Sequence, residues 1–176
     1  MKSRLIFAVV FAGSVSLYAQ SNPLSSAVKQ QYNGVKNNIL RAAEKMADAD
    51  YSFKAGQGSR SYGEIVTHIA EVQGALCASA KGENKQFDVS KTDKASAVQV
   101  LKDTIAYCDP IYDALTDANG LEMGKMFGRD TPKFNILNFN VIHDNEMYGQ
   151  MAVYLRAKGL VPPSSEGRGG GRGRKE

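Results

Sequence analysis

Four stretches of the chain carry apolar residues at the spacing of an α-helix, and this pattern constrains the fold more than any other feature. In the first stretch the apolar residues recur at intervals of four and seven: Leu24, Val28, Val35, Ile39 and Met46. The four predicted helices lie at about 23–47, 62–80, 93–115 and 132–158. No stretch has the alternating pattern of a convincing strand. The sequence therefore predicts an all-α domain, a four-helix bundle.

A proline and a glycine-rich segment interrupt the helical pattern. Pro110 falls within the third helix, where it removes one backbone donor, so a kink or break is expected after Cys108. The segment 117–133 is rich in glycine and also contains Met123, Met126 and Phe127. A long loop in a small domain is often functional or mobile, and we expect these apolar side chains to fold back over one end of the bundle.

The first 19 residues have the features of a secretory signal peptide. Lys2 and Arg4 form a basic start, 5–15 is mostly apolar, and Ala19 is a small residue after which cleavage is expected. A membrane anchor is the alternative, but the apolar segment is shorter than the roughly 20 residues that a spanning helix needs. We therefore expect an extracytoplasmic protein, periplasmic or secreted, with no stable membrane insertion after cleavage.

The net charge of +4 comes from the two ends of the chain, because residues 20–165 carry no net charge. The predicted bundle domain, 20–163, is therefore not a basic surface of the kind that binds nucleic acid. The tail, 164–176, is rich in glycine and arginine and has no apolar residue to bury, so it is expected to be disordered. Such tails can bind RNA, but export makes a nucleic-acid partner unexpected here.

Cys77 and Cys108 are the only cysteines, and they fall on the second and third predicted helices. After export into an oxidising compartment, such a pair is expected to form a disulfide. Two small buried thiols are the alternative interpretation. A disulfide would also exclude both cysteines as nucleophiles.

The two histidines of the chain, His68 and His143, fall on the second and fourth predicted helices. Facing helices of a bundle can bring such residues together, and two imidazoles with a third ligand suit zinc, nickel or iron. Met147 lies one turn beyond His143 on the same face. A pair of packed, hydrogen-bonded histidines is the alternative.

Two segments resemble the DinB superfamily of helical proteins with a metal site. They are Ser61-Tyr-Gly-Glu-Ile-Val-Thr-His68 and His143-Asp-Asn-Glu-Met147-Tyr-Gly-Gln150, and the likeness extends over about 24–163. The resemblance implies a four-helix bundle in an up-down-down-up arrangement. It also implies a metal site with one histidine on the second helix and two on the fourth, separated by three residues. His68 and His143 match two of these places, and Met147 stands in the third.

The methionine in the third place changes what the site is expected to bind. A thioether is a poor ligand for zinc, nickel or iron and a better one for Cu(I), which is the less expected metal, and a protein without metal is an open alternative. Asp144 and Glu146 lie off the face of His143 and Met147, so a solvated surface is expected for both. Gln150 could orient a ligand or a bound water.

The expected function is that of an exported DinB-like protein with a degenerate metal site and a reaction that the residues do not reveal. Relatives use a divalent metal to activate a small thiol, so the resemblance implies a thiol transferase-like or hydrolase-like reaction if the protein is an enzyme. The alternative is a metal-free binding or interaction module that kept the bundle and lost the chemistry. A small-molecule ligand and a homodimer are the expected partners, and the oligomeric state is left open.

Overall fold

The computed structural model describes residues 22–167, and four long helices dominate it. The helices are α1 Pro23–Lys45, α2 Tyr62–Lys81, α3 Lys94–Asp113 and α4 Lys133–Ala157. Single 3-10 turns lie at Asp48–Asp50, Asn119–Leu121 and Pro163–Ser165. A hairpin of β1 Met123–Met126 and β2 Arg129–Pro132 precedes α4. The predicted four-helix bundle is confirmed.

Local signals fix the ends of α2 and α3. The Ser61 hydroxyl accepts a hydrogen bond from the Glu64 amide at 3.2 Å, and the Glu64 carboxylate accepts from the Ser61 amide, so the two residues form a capping box. The Asp93 carboxylate caps α3 in the same way by accepting from the Ser96 amide at 3.0 Å. Gly82 ends α2 in the left-handed conformation, with a φ of 78°.

Side-chain contacts between helices give their directions. Gln73 donates to Thr104 and Cys77 is bonded to Cys108, and both pairs are 31 residues apart, so α2 and α3 run parallel. The chain crosses back through 82–93 to make this possible.

The other helix pairs complete the arrangement. Helices α1 and α3 are antiparallel, because Lys29 near the start of α1 pairs with Asp113 at the end of α3 and Glu44 pairs with Lys102. Helices α2 and α4 are antiparallel as well, because His68 faces His143 whereas Arg60, just before α2, accepts from Tyr154 near the end of α4. The result is the up-down-down-up arrangement that the family resemblance implies.

The prediction that the chain contains no strand is wrong for the segment before α4. Its two short strands pair antiparallel from Met123 with Pro132 to Met126 with Arg129. Phe127 and Gly128 form the turn with φ angles of 50° and 77°, the left-handed pattern of a tight hairpin. Gly124 lies so close to α2 that a Cβ there would be 2.8 Å from the Ser79 carbonyl oxygen.

The apolar residues of this segment do not all fold back over the bundle as predicted. Met126 packs against the core, but the side chain of Phe127 is 76% exposed at the hairpin tip. Its ring makes an edge contact with Phe139 of α4, with 5.5 Å between the ring centroids. The hairpin therefore rests against the seam between α2 and α4.

Helix α3 continues through Pro110 to Asp113, so the predicted break after Cys108 does not occur. Proline costs one helical hydrogen bond, but packing on both sides holds the helix together. The Cys77–Cys108 disulfide ties α3 to α2 two residues before the proline, and Tyr112 is buried two residues after it. The predicted disulfide is confirmed, and both cysteines are buried.

The predicted signal peptide, 1–19, lies outside the described residues, and so does 168–176 of the predicted tail. Residues 164–167, which the sequence assigns to that tail, extend the packed domain instead. Ser164 exchanges hydrogen bonds with Tyr148, and Glu166 pairs with Arg41 and Lys45 of α1. Among residues 22–167, none of the helices combines the length and apolar character that a bilayer crossing requires.

Candidate functional site

The structure brings the two histidines together across the seam between α2 and α4. The Nε2 atoms of His68 and His143 are 3.3 Å apart, and the two ring planes are inclined by 70°. The side chains are 24% and 12% exposed, so the pair is largely shielded but still reaches solvent. Both imidazoles therefore direct the same nitrogen toward a shared point.

A carboxylate stands behind each ring. The Glu71 Oε2 atom lies 3.6 Å from Nδ1 of His68, and the Asp144 Oδ1 atom lies 3.7 Å from Nδ1 of His143. Both separations exceed hydrogen-bond length, so the contacts are electrostatic. Glu71 is exposed on α2, whereas the Asp144 side chain is 0% exposed. The two histidines thus have matching neighbours in very different surroundings.

The prediction that Asp144 lies on a solvated helix surface is wrong. Helix α4 packs against both α1 and α2, so its buried surface is wider than the single stripe through His143 and Met147. Burial raises the pKa of Asp144 to about 6, and the neighbouring His143 and Asn140 only partly oppose this effect. Glu146 is exposed, as predicted.

Asp144 belongs to a buried polar network that sequence reasoning missed. The Asn140 amide donates to Asp144 Oδ2 at 3.3 Å and to the Tyr112 hydroxyl at 3.1 Å. The Tyr112 hydroxyl donates to the Leu137 carbonyl oxygen at 2.8 Å, and its ring stacks on Tyr32 of α1. The one signal in the sequence was the spacing of Asn140 and Asp144, which places their side chains one turn apart.

Three buried polar atoms in this region have no hydrogen-bond partner: Asn140 Oδ1, His143 Nδ1 and Asp144 Oδ1. Buried polar atoms are normally paired, because an unpaired one costs about 1–3 kcal/mol. All three lie within one turn of α4. The concentration of unpaired polar groups beside the histidine pair makes this turn of α4 a candidate functional site.

The His68 imidazole is held in its neutral form. Burial lowers the pKa of His68, Arg60 and His143 act in the same direction, and Glu71 opposes them. A neutral imidazole has one nitrogen lone pair, which is the form that binds metal.

Met147, the residue in the third predicted ligand position, is part of the hydrophobic core and almost fully buried. It lies one turn beyond His143 on α4, and Gln150 is half-buried a further turn on. Tyr148 is buried, and its hydroxyl donates a hydrogen bond to Ser164 Oγ. The structure thus brings together His68 and His143 and leaves the thioether among apolar neighbours.

The donor set fits a divalent metal at two of its coordination positions. Two nitrogens bound to zinc at about 2.05 Å with a tetrahedral angle lie about 3.3 Å apart, the separation found here. Within residues 22–167, no group of three or more His, Cys, Asp or Glu side chains is arranged to hold a metal. The remaining positions would therefore be filled by the weak Met147 thioether, by solvent or by a ligand.

Two neighbouring cavities lie beside the C-terminal half of α2. A cavity of about 590 Å³ separates the C-terminal half of α2 from the hairpin. An adjoining cavity of about 260 Å³ shares Ala75, Lys85 and Gln86 with it and is also lined by Glu71. Glu71, one turn beyond His68 on α2, is the lining residue nearest in sequence to the histidine pair.

Comparison with known proteins agrees with the fold. The model of the DinB family matches residues 21–170. A DinB-like protein from Bacillus cereus has a TM-score of 0.68 at 19% identity, over 78% of this chain and 95% of that chain. A second, from Bacillus subtilis, has a TM-score of 0.59 at 23% identity, over 77% and 93%. At these identities the two structures show a shared fold alone, and no curated protein matches the chain.

Proposed function

Since the chain belongs to the DinB family, we propose that it binds one divalent metal ion through His68 and His143. Met147 stands in the third place of the site and makes it weaker than a site with three imidazoles. The bound ion keeps open positions for solvent and for a small-molecule ligand.

The observation that carries this proposal is the 3.3 Å separation of the two Nε2 atoms. It equals the separation of two nitrogens on one tetrahedral metal ion. The neutral form of His68 supports it further, because the pKa of its imidazole is lowered and a lone pair is available at neutral pH.

A bound divalent ion would lower the pKa of a coordinated water or thiol, the chemistry of a hydrolase-like or thiol transferase-like reaction. The residues of the chain contribute binding and orientation. His68 and His143 hold the ion, Glu71 and Asp144 stand behind the rings, and the buried side chains around Met147 keep water from the inner side of the site.

Metal analysis of full-length protein without a histidine tag tests the proposal. We expect about one zinc, nickel or iron ion per chain, and its loss in His68→Ala and in His143→Ala. Glu146→Ala is the matched control, because Glu146 is an exposed acidic residue of the same helix. This control should retain the metal.

Met147→His restores a third imidazole and is expected to raise the metal affinity by roughly tenfold or more, given that changes beyond the ligands already alter affinity 10- to 100-fold. The measurement is competition with a chromophoric chelator. If Met147→His binds metal and the wild type binds none, the wild type is instead a metal-free binding module. The 3.3 Å separation also suits an N–H···N hydrogen bond between the rings, and this bond would satisfy the pair without metal.

The proposed place of action is outside the cytoplasm. The Cys77–Cys108 disulfide supports this, because such bonds persist in oxidising compartments. Sequencing the N-terminus of the native protein is the test. A mature terminus at Gln20 in an extracytoplasmic fraction is the expected result, and a retained Met1 in the cytoplasm would contradict it.

A further inference from the structure

We propose that Asp144 is a positioning residue that holds the His143 imidazole with its proton on Nδ1, so that Nε2 presents a lone pair toward His68. The tautomer of His143 follows from the arrangement of Asp144 and its neighbours alone. Its consequence for metal affinity rests on the proposed function.

The first step is the contact between the two side chains. Asp144 Oδ1 lies 3.7 Å from His143 Nδ1, and neither atom has another hydrogen-bond partner. If Nδ1 carried a lone pair, it would face a carboxylate oxygen inside the protein, where charges are poorly screened. A proton on Nδ1 turns this repulsion into attraction, so the carboxylate selects that tautomer.

The second step is that the carboxylate is fixed in place. Its other oxygen, Oδ2, accepts from the Asn140 amide, which also donates to the Tyr112 hydroxyl. Tyr112 is tied to the Leu137 carbonyl oxygen and stacked on Tyr32, with 3.7 Å between the ring centroids. Residues of α1, α3 and α4 therefore set the orientation of Asp144, and through it that of His143.

The third step is the contrast with His68. Glu71 stands behind its ring at a similar distance, but its side chain is 61% exposed. Water screens an exposed carboxylate, so Glu71 favours the same tautomer only weakly. Of the two carboxylates, Asp144 is therefore the one whose replacement should change the tautomer of the neighbouring histidine.

The consequence concerns the two facing nitrogens. With its proton held on Nδ1, His143 offers only a lone pair at Nε2, 3.3 Å from Nε2 of His68. This orientation prepares the pair to share a cation. A carboxylate that faces the protonated nitrogen of a ligating histidine also makes the other nitrogen a stronger base toward metal.

The test is long-range ¹H–¹⁵N NMR of the full-length chain, labelled at its two histidines and treated with chelator at pH 8. The spectrum reports which ring nitrogen carries the proton. In the wild type we expect the His143 proton on Nδ1. In Asp144→Asn the amide can donate to Nδ1, so the proton should move to Nε2, whereas Glu71→Gln should leave His143 unchanged.

The second measurement is zinc affinity, determined by competition with a chelator. Asp144→Asn should lower the affinity by roughly 10- to 100-fold, and Glu71→Gln by less than about threefold. A wild-type His143 with its proton on Nε2 would overturn the inference. This measurement uses the wild-type protein alone, so it does not depend on whether a variant folds. An unchanged tautomer in a folded Asp144→Asn would overturn it too. If the tautomer switches as expected but the wild type binds no metal, the positioning role stands and the proposed function fails.

Discussion

Replacing Cys77 and Cys108 together with alanine is expected to lower the free energy of unfolding by about 3–4 kcal/mol. The bond closes a loop with a sequence separation of 31, and the chain-entropy model assigns this amount to a loop of that length. It also joins α2 to α3, the parallel pair connected by a crossover rather than a tight turn. Urea unfolding monitored by circular dichroism gives the difference.

Reduction provides the control for this prediction. A reducing agent should destabilise the wild type by a similar amount and leave the double alanine variant unaffected. Replacement of Cys77 alone should already produce most of this loss in the free energy of unfolding, because it opens the same loop. Wild-type stability that is independent of reducing agent would show that the bond is not formed in solution.

Asp144→Asn is expected to alter the pH dependence of stability by roughly 2–3 kcal/mol between pH 4 and pH 7. The pKa of Asp144 is raised to about 6 in the folded protein from an ordinary value of 3.8, so the folded state binds this proton more tightly than the unfolded chain. The stabilisation is fully present below about pH 4 and is lost as the pH rises through 6. Asparagine does not titrate, so the variant should gain stability relative to the wild type over this range.

The measurement is urea unfolding of metal-free protein at several pH values, compared as a difference between variant and wild type. The difference is needed because other carboxyls act in the opposite sense. Hydrogen bonds lower the pKa of Glu64, Asp93 and Asp117, which therefore stabilise the fold at neutral pH and stop doing so in acid. Glu146→Gln is the control on α4. A difference that stays constant across the pH range would contradict the prediction.

The two roles proposed for Asp144 are those of a residue that costs stability at neutral pH and orients the His143 imidazole. A buried carboxylate with one unpaired oxygen is expensive, and an apolar or amide side chain would pack there at lower cost. Retention of such groups is common where a site requires them. The stability of the Asp144 variant and the tautomer of His143 are therefore expected to change together.

The local signals in the sequence were sufficient for the helices. The capping box at Ser61 and Glu64, the cap at Asp93 and the glycine at the end of α2 act over a few residues, so their effect is legible without tertiary structure. The meeting of His68 and His143 was also predictable, because they fall on two helices that can face each other in a bundle. The resemblance to the DinB family then supplied the arrangement of the helices.

The misjudged features depend on contacts between elements. The sequence misplaces Asp144 on the helix surface, because the stripe through His143 and Met147 does not reveal that α4 packs against both α1 and α2. The hairpin lacks the β-branched alternation of ordinary strands, and only Phe127-Gly128 between two four-residue segments indicated its turn. Pro110 was expected to break α3, but the disulfide and buried Tyr112 on either side of it outweigh one lost hydrogen bond.

X-ray absorption spectroscopy at the edge of the bound metal, on full-length protein loaded with one equivalent of zinc, tests the central claim most directly. We expect two imidazole nitrogens in the coordination sphere at about 2.0–2.1 Å, with solvent oxygen or the Met147 thioether in the remaining positions. Both imidazole signals should be lost in the His68→Ala, His143→Ala double variant. A metal bound without imidazole scattering, or a protein that retains no zinc, would contradict the assignment of this site to His68 and His143.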